Sequence, residues 1–340
     1  MNIEELESVA TAIVAGQKGV LAADESSPTI KKRFDTIQVE STEENRRCYR
    51  EILFTTDGIE RHIGGVILFD ETLRQRTHDG IPFPRLLSGR GIVPGIKVDQ
   101  GAKALAYHPG ERLTEGLDGL RERLAEYKQL GAQFAKWRAV IDIEEHDIPS
   151  AFGIRANAHA LARYAALCQE AGLVPIVEPE VLMDGAHDIE RCEVVTAQVL
   201  QAVFAELDAH RVLFEGMLLK PNMVIAGKKC ARQAGVQEVA EATLRCLKRY
   251  VPAAVPGIVF LSGGQSAEQA TENLNAMNAM GAQAWEVSFS YGRALQAPVL
   301  AAWKGQETNA AAAQQALFKR CELNGLARAG KYERAMETAA

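Results

Sequence analysis

Eight short runs of apolar and β-branched residues recur along the chain: "GVLAADE" (19–25), "GGVILFD" (64–70), "GIVPGIKVD" (91–99), "FAKWRAVI" (134–141), "LVPIVEPE" (173–180), "GMLLKPN" (216–222), "GIVFLSGG" (257–264) and "AWEVSFSYG" (284–292). Their hydrophobicity is continuous rather than alternating, as expected of strands covered on both faces in a parallel sheet with crossover helices. Helical patterns fill the intervals. Segment 157–172 ("NAHALARYAALCQEAG") has apolar residues at helical spacing and ends in glycine, and 266–281 ("SAEQATENLNAMNAMG") opens on a serine cap. No Ser/Gly/Pro-rich linker interrupts the series. Eight strand–helix units in 340 residues predict an α/β fold, a single (β/α)8 TIM barrel over residues 1–340, with an N-terminal helix (about 1–17) and a short C-terminal tail (about 331–340). An open sheet with extra strands is the alternative.

The polar residues of these runs gather at their C-terminal ends: Asp24 and Glu25, Asp70 and Glu71, Lys97 and Asp99, Lys136 and Arg138, Glu178 and Glu180, Lys220, Ser262, then Ser288 and Ser290. In a closed parallel barrel those ends form one rim, where barrel enzymes carry their sites.

Composition narrows the class of partner. With 38 basic and 44 acidic residues the net charge is -6, and no basic run forms a nucleic-acid track, so a small molecule is the expected partner. Six scattered cysteines without a C-x-x-C pair suit reduced thiols in the cytoplasm. The acidic start lacks the features of a secretory signal, and no segment is long enough to span a bilayer. Seven histidines show no clustered ligand spacing, so neither a metal nor another cofactor is expected. A G-x-S-x-G elbow, a Walker A loop and a G-x-G-x-x-G turn are likewise missing.

Three strand-end lysines, Lys97, Lys136 and Lys220, then carry the chemistry. A lone strand-end lysine reads as a stem laid over apolar surface. Three of them beside carboxylates in one mouth read differently, because desolvation and mutual repulsion push at least one toward the neutral amine. A neutral amine condenses with a ketone to an imine, which makes an adjacent carbon–carbon bond cleavable. Glu178, Glu180 and Asp24 are the candidate proton shuttles, and strand alternation puts both glutamates on the same side without ranking them. "FLSGGQS" (260–266) and "SFSYGRAL" (288–295) place Ser262, Gly263, Gly264, Ser290, Gly292 and Arg293 at the seventh and eighth strand–helix junctions, where barrels often cradle phosphate.

With "GQKGVLAADES", "STEENRR", "GGVILFDETL", "GIKVD", "FAKWR", "NAHALARYA", "VPIVEPE", "LLKPNMV", "FLSGGQS" and "FSYGRALQ" in order from about residue 15 to 332, the chain resembles class I fructose-1,6-bisphosphate aldolase. The resemblance implies a metal-independent lyase that cleaves fructose 1,6-bisphosphate reversibly to dihydroxyacetone phosphate and glyceraldehyde 3-phosphate, in glycolysis and gluconeogenesis. It implies Lys220 as the imine lysine, Glu178 as the main general acid/base, Asp24 as a helper in proton transfer during cleavage and Lys136 as a charge assisting the carbinolamine steps. Arg138 and Glu180 join the substrate-contacting set. Arg33 with Ser262, Gly263, Gly264, Ser290, Gly292 and Arg293 would hold the ketone-side phosphate, and Ser26 and Lys97 the aldehyde-side one.

A homotetramer is also implied by the resemblance. Imine chemistry does not count carbons, so sedoheptulose 1,7-bisphosphate or fructose 1-phosphate is the alternative substrate, and a barrel kept as a scaffold ranks behind both. Two departures from the family stand out. The chain ends "GKYERAMETAA" without a terminal tyrosine, and "SSPTIKKRF" differs in the loop that carries Ser27 and Thr29.

Overall fold

The computed structural model describes residues 2–144 and 148–338, so the last two residues of the expected tail lie outside the described residues. All eight expected strands form: β1 Gly19–Ala23, β2 Ile63–Leu68, β3 Val93–Lys97, β4 Phe134–Ile141, β5 Val174–Val181, β6 Leu218–Leu219, β7 Gly257–Phe260 and β8 Glu286–Tyr291. Each pairs in parallel with the next, and Val20 pairs with Ser290 to close β8 onto β1, giving the (β/α)8 barrel. The open sheet is thereby excluded. The expected 157–172 helix spans Ala151–Glu170, and the serine-capped one spans Ala267–Ala279, with Ser266 Oγ accepting from the Gln269 amide at 3.1 Å.

Two details depart from the sequence reading. The expected strand over 216–222 shrinks to Leu218–Leu219, because Pro221 has no amide to continue the ladder, although the Lys220 amide still donates to the Val177 carbonyl at 2.8 Å. After β3 an antiparallel hairpin, Ala102–Ala104 with Arg112–Thr114, adds a pair of short strands with too little apolar character to stand out in the sequence.

The N-terminal helix, Ile3–Ile13, is capped by Asn2 and closes the barrel's N-terminal end. Its Leu6, Ala10 and Ile13 share a buried cluster with the inward-facing Val20, Ile67, Phe134, Val174, Ile176, Leu218 and Val259. Arg328, from the helix Ala310–Arg328, pins this floor by donating to the carbonyls of Val14 and Lys18. Gly64 lets the helix approach: a Cβ there would lie 2.1 Å from the Ile13 carbonyl oxygen. Gly64→Ala is therefore expected to destabilise the fold by about 1–3 kcal/mol, read as a lower denaturant midpoint at unchanged slope. An unchanged midpoint would show that the floor yields freely.

With the floor sealed by apolar residues, the polar strand ends are left at the opposite rim. Among the described residues no helix is long and apolar enough to cross a membrane. All six cysteines are free, and four of them are buried.

Candidate active site

At the C-terminal rim the strand ends surround a cavity of about 770 Å³. Its lining includes Asp24, Ser26, Arg33, Lys97, Lys136, Arg138, Glu178, Glu180, Lys220, Ser262, Gly263, Gly264, Ser290, Gly292 and Arg293, which is every site residue expected from the sequence.

Register explains the centre. Lys97 and Lys136 are direct neighbours across β3 and β4, and Arg138 sits opposite Glu178 across β4 and β5. Glu178 bridges two amines, with Oε1 3.2 Å from Lys220 Nζ and Oε2 3.3 Å from Lys136 Nζ. Lys136 Nζ also lies 2.7 Å from Asp24 Oδ2. Lys136, Glu178 and Lys220 are buried, and Asp24 is largely covered. Glu180, two residues further along β5 and so about 6.6 Å nearer the mouth, is engaged by Arg138 instead. Depth thus separates two glutamates that alternation leaves equivalent.

Electrostatics divide the three lysines. Burial alone would push the Lys136 amine toward neutrality, yet Asp24 and Glu178 outweigh it and hold its pKa above the usual lysine range. Burial likewise raises the Asp24 carboxyl, but Lys136, Lys220 and Lys97 together bring it far below the usual carboxylate range. For Lys136 the attraction of these carboxylates therefore outweighs both its burial and the expected repulsion among the lysines. Lys97 is engaged by its own strand end, donating to the Asp99 carbonyl at 2.7 Å and pairing with Asp99 Oδ1 at the same distance. Lys220 Nζ lies 3.2 Å from Glu178 Oε1, and Lys220 lines the cavity.

The candidate phosphate cradle lies on the β7–β8–β1 side. Gly263 and Gly264 both have positive φ, 52° and 74°, conformations that glycine adopts at no steric cost, and they precede the Ser266-capped helix. Gly292 caps the helix Arg293–Trp303, and a Cβ on it would sit 3.7 Å from Arg33 Nη2, so the first and last strand–helix loops converge. Ser290 Oγ is buried without a hydrogen-bond partner among the described residues and remains available to an incoming acceptor.

Against this geometry the comparisons are decisive. The family model for class-I fructose-bisphosphate aldolase matches residues 5–340. A curated relative from Xanthomonas campestris, "Probable fructose-bisphosphate aldolase class 1", is 58% identical over 98% of this chain and all of its own length. The chain belongs to the class I fructose-bisphosphate aldolase family. Human "Fructose-bisphosphate aldolase C" is 55% identical, covering 97% of this chain and 91% of the relative. The solved fructose-bisphosphate aldolase of Plasmodium falciparum, from a complex with TRAP and a small-molecule inhibitor, superposes with a TM-score of 0.96 at 52% identity, over 97% of this chain and 95% of that one. Membership of this lyase family makes the chain an enzyme, a class I fructose-bisphosphate aldolase by kinship.

Within this member of the family some rim residues fall elsewhere than expected. Asp70 and Glu71 open the short helix Asp70–Arg74 and pair outward with Arg74 and Arg46. Ser288 lies two residues below Ser290 and donates to the Lys18 carbonyl at 2.8 Å, at the floor side. Tyr332 is buried, donates to Glu337 at 2.9 Å and stays out of the cavity lining. Thr29 lines the cavity with its hydroxyl 3.1 Å from Ser26 Oγ, whereas Ser27 does not line it.

Sequence reasoning missed the support behind Arg33. Buried Glu25 pairs with Arg33 through Oε1 and with Arg50 through Oε2 at 2.5 Å, and Gln296 donates to its Oε1 at 2.8 Å. Glu25 follows Asp24 on the opposite face of the strand end, so the alternation rule itself was the available signal.

Proposed function

We propose that this enzyme cleaves fructose 1,6-bisphosphate reversibly through an imine on Lys220, yielding dihydroxyacetone phosphate and glyceraldehyde 3-phosphate. One observation carries the reading: a single buried carboxylate, Glu178, stands 3.2 Å from one amine and 3.3 Å from a second that is held charged. Lys136 is unsuited to attack a ketone, since its proton is held by Asp24 and Glu178. Lys220 is the remaining amine at that depth. The Lys220 ammonium first yields one proton to Glu178. The freed nitrogen adds to the ketone carbon and passes a second proton to the ketone oxygen, giving the carbinolamine. Glu178 then returns its proton to that hydroxyl, water leaves, and a protonated imine remains.

Removal of the proton from the hydroxyl beyond the scissile bond, with Asp24 assisting Glu178, sends the bonding electrons into the imine. The aldehyde product departs and an enamine stays on Lys220. Protonation of that enamine and hydrolysis by one water release dihydroxyacetone phosphate and regenerate the amine. The fixed charge of Lys136 stabilises the oxygen that develops negative character in the carbinolamine steps. Arg33 and Arg293, with the glycine-lined loops and Ser262 and Ser290, suit the ketone-side phosphate; Ser26, which caps the helix that carries Arg33, and Lys97, at the end of β3, suit the other. Arg138 and Glu180 flank the sugar chain between them. The same reading makes the enzyme a cytoplasmic homotetramer of glycolysis and gluconeogenesis, which sedimentation tests for subunit number.

Borohydride added with fructose 1,6-bisphosphate is expected to fix a three-carbon adduct on Lys220, located by peptide mass mapping, with activity that survives a chelator. An adduct on another lysine, or activity lost to chelation, would overturn the assignment. Lys97→Ala is expected to raise KM for the bisphosphate by roughly 10- to 100-fold with a smaller change in kcat, since it removes a charge that contacts a phosphate rather than a reacting atom. Its KM for fructose 1-phosphate should scarcely move, and equal losses on both substrates would remove Lys97 from that role. Cleavage of fructose 1-phosphate faster than the bisphosphate would favour the monophosphate as the natural substrate.

A further inference from the structure

We propose that His159, Glu206 and His210 form a divalent zinc site on the outside of the barrel, separate from the catalytic cavity. His159 lies on the helix Ala151–Glu170, Glu206 in the last turn of the helix Ile189–Ala209, and His210 caps that second helix. A four-residue step puts Glu206 and His210 on one helical face, and the neighbouring helix brings His159 to the same spot. Glu206 Oε2 is 3.0 Å from His159 Nδ1 and 3.6 Å from His210 Nδ1, and the three ligand atoms all lie within 4.8 Å of one another. The two rings meet edge to face with centroids 5.0 Å apart.

Tetrahedral zinc with bonds of about 2.0–2.1 Å places its ligand atoms roughly 3.4 Å apart. The two carboxylate-to-imidazole separations bracket that value. The third edge, between the two imidazoles, lies within the same 4.8 Å and closes by rotation of His159, whose side chain is 53% exposed. Binding also draws His210 Nδ1 from its 2.8 Å contact with the Glu206 backbone carbonyl. Two imidazoles and one carboxylate suit zinc, whereas calcium and magnesium favour oxygen shells. Three protein ligands leave one position for water. None of the three residues lines the catalytic cavity, so the ion would clip two outer helices together without entering the reaction.

Zinc chloride titrated into the full-length enzyme against a chromogenic chelator of micromolar affinity is expected to reveal one bound equivalent and a melting temperature raised by a few degrees. The His159→Ala/His210→Ala variant should lose that equivalent and the thermal shift while keeping its circular dichroism and cleavage rate. Glu206→Gln, which preserves shape, should weaken zinc binding by about 10-fold or more. Cys48→Ser/Cys230→Ser, which removes the two partly exposed thiols, should retain the equivalent. The site is refuted if no stoichiometric zinc binds, if the equivalent persists in the double-histidine variant, or if it vanishes with the cysteines.

Discussion

Lys220→Ala is expected to lower kcat for fructose 1,6-bisphosphate by roughly 10⁵-fold, equivalent to about 7 kcal/mol of transition-state stabilisation. The loss is this large because removing the amine removes the covalent route, and the remaining side chains hold substrate without a group that can become the electron sink. KM should change far less, since the phosphate contacts reside in other loops. Borohydride with substrate should leave the variant unlabelled. Lys220→Arg is expected to be just as inactive: a guanidinium keeps the charge beside Glu178, so it separates an electrostatic role from a nucleophilic one. A Lys220→Ala enzyme within tenfold of the parent rate would end the imine assignment. Retained activity in Lys220→Arg alone would make Lys220 a charge rather than a nucleophile.

Much of this arrangement could be read from the chain because a parallel barrel converts strand order into spatial convergence. Continuous apolar runs marked the strands, and a polar residue at each C-terminal end marked the rim, so Asp24, Lys136, Glu178 and Lys220 met without any long-range information. What remained hidden had physical reasons. Ser288 and Ser290 share a strand face, but two residues of depth put one at the floor and the other at the mouth. Asp70 and Glu71 follow a strand as their counterparts do, yet they begin a helix at once and their side chains turn outward to Arg74 and Arg46.

The division of labour between Glu178 and Glu180 is also a matter of depth, which periodicity alone does not encode. Charge balance was hidden for another reason. Repulsion among lysines is apparent from composition, but whether a carboxylate stands between them depends on contacts across β1, β4 and β5. The histidines escaped a search for ligand spacing because two helices, not one motif, bring His159 beside Glu206.

Lys136→Met is expected to destabilise the protein by about 3–5 kcal/mol at neutral pH and to cut kcat by roughly 10²- to 10⁴-fold. Methionine matches the length of the buried stem but leaves Asp24 and Glu178 without the cation that compensates their burial. The pH dependence distinguishes this cause from simple loss of packing. In the parent the Asp24 carboxyl is held below its unfolded value, so its stabilising contribution is present above about pH 4 and is lost as pH falls further. Lys136 is held above its unfolded value, and its contribution is complete below about pH 10. Without Lys136, burial is opposed only by the more distant charges of Lys220 and Lys97, the Asp24 carboxyl rises, and protonation relieves the penalty. The stability gap between parent and variant, measured by denaturant unfolding, should therefore be widest near pH 7 and narrow steadily toward pH 5. A gap independent of pH would assign the loss to packing and would remove Lys136 from the electrostatic role on which the division between charge and nucleophile rests.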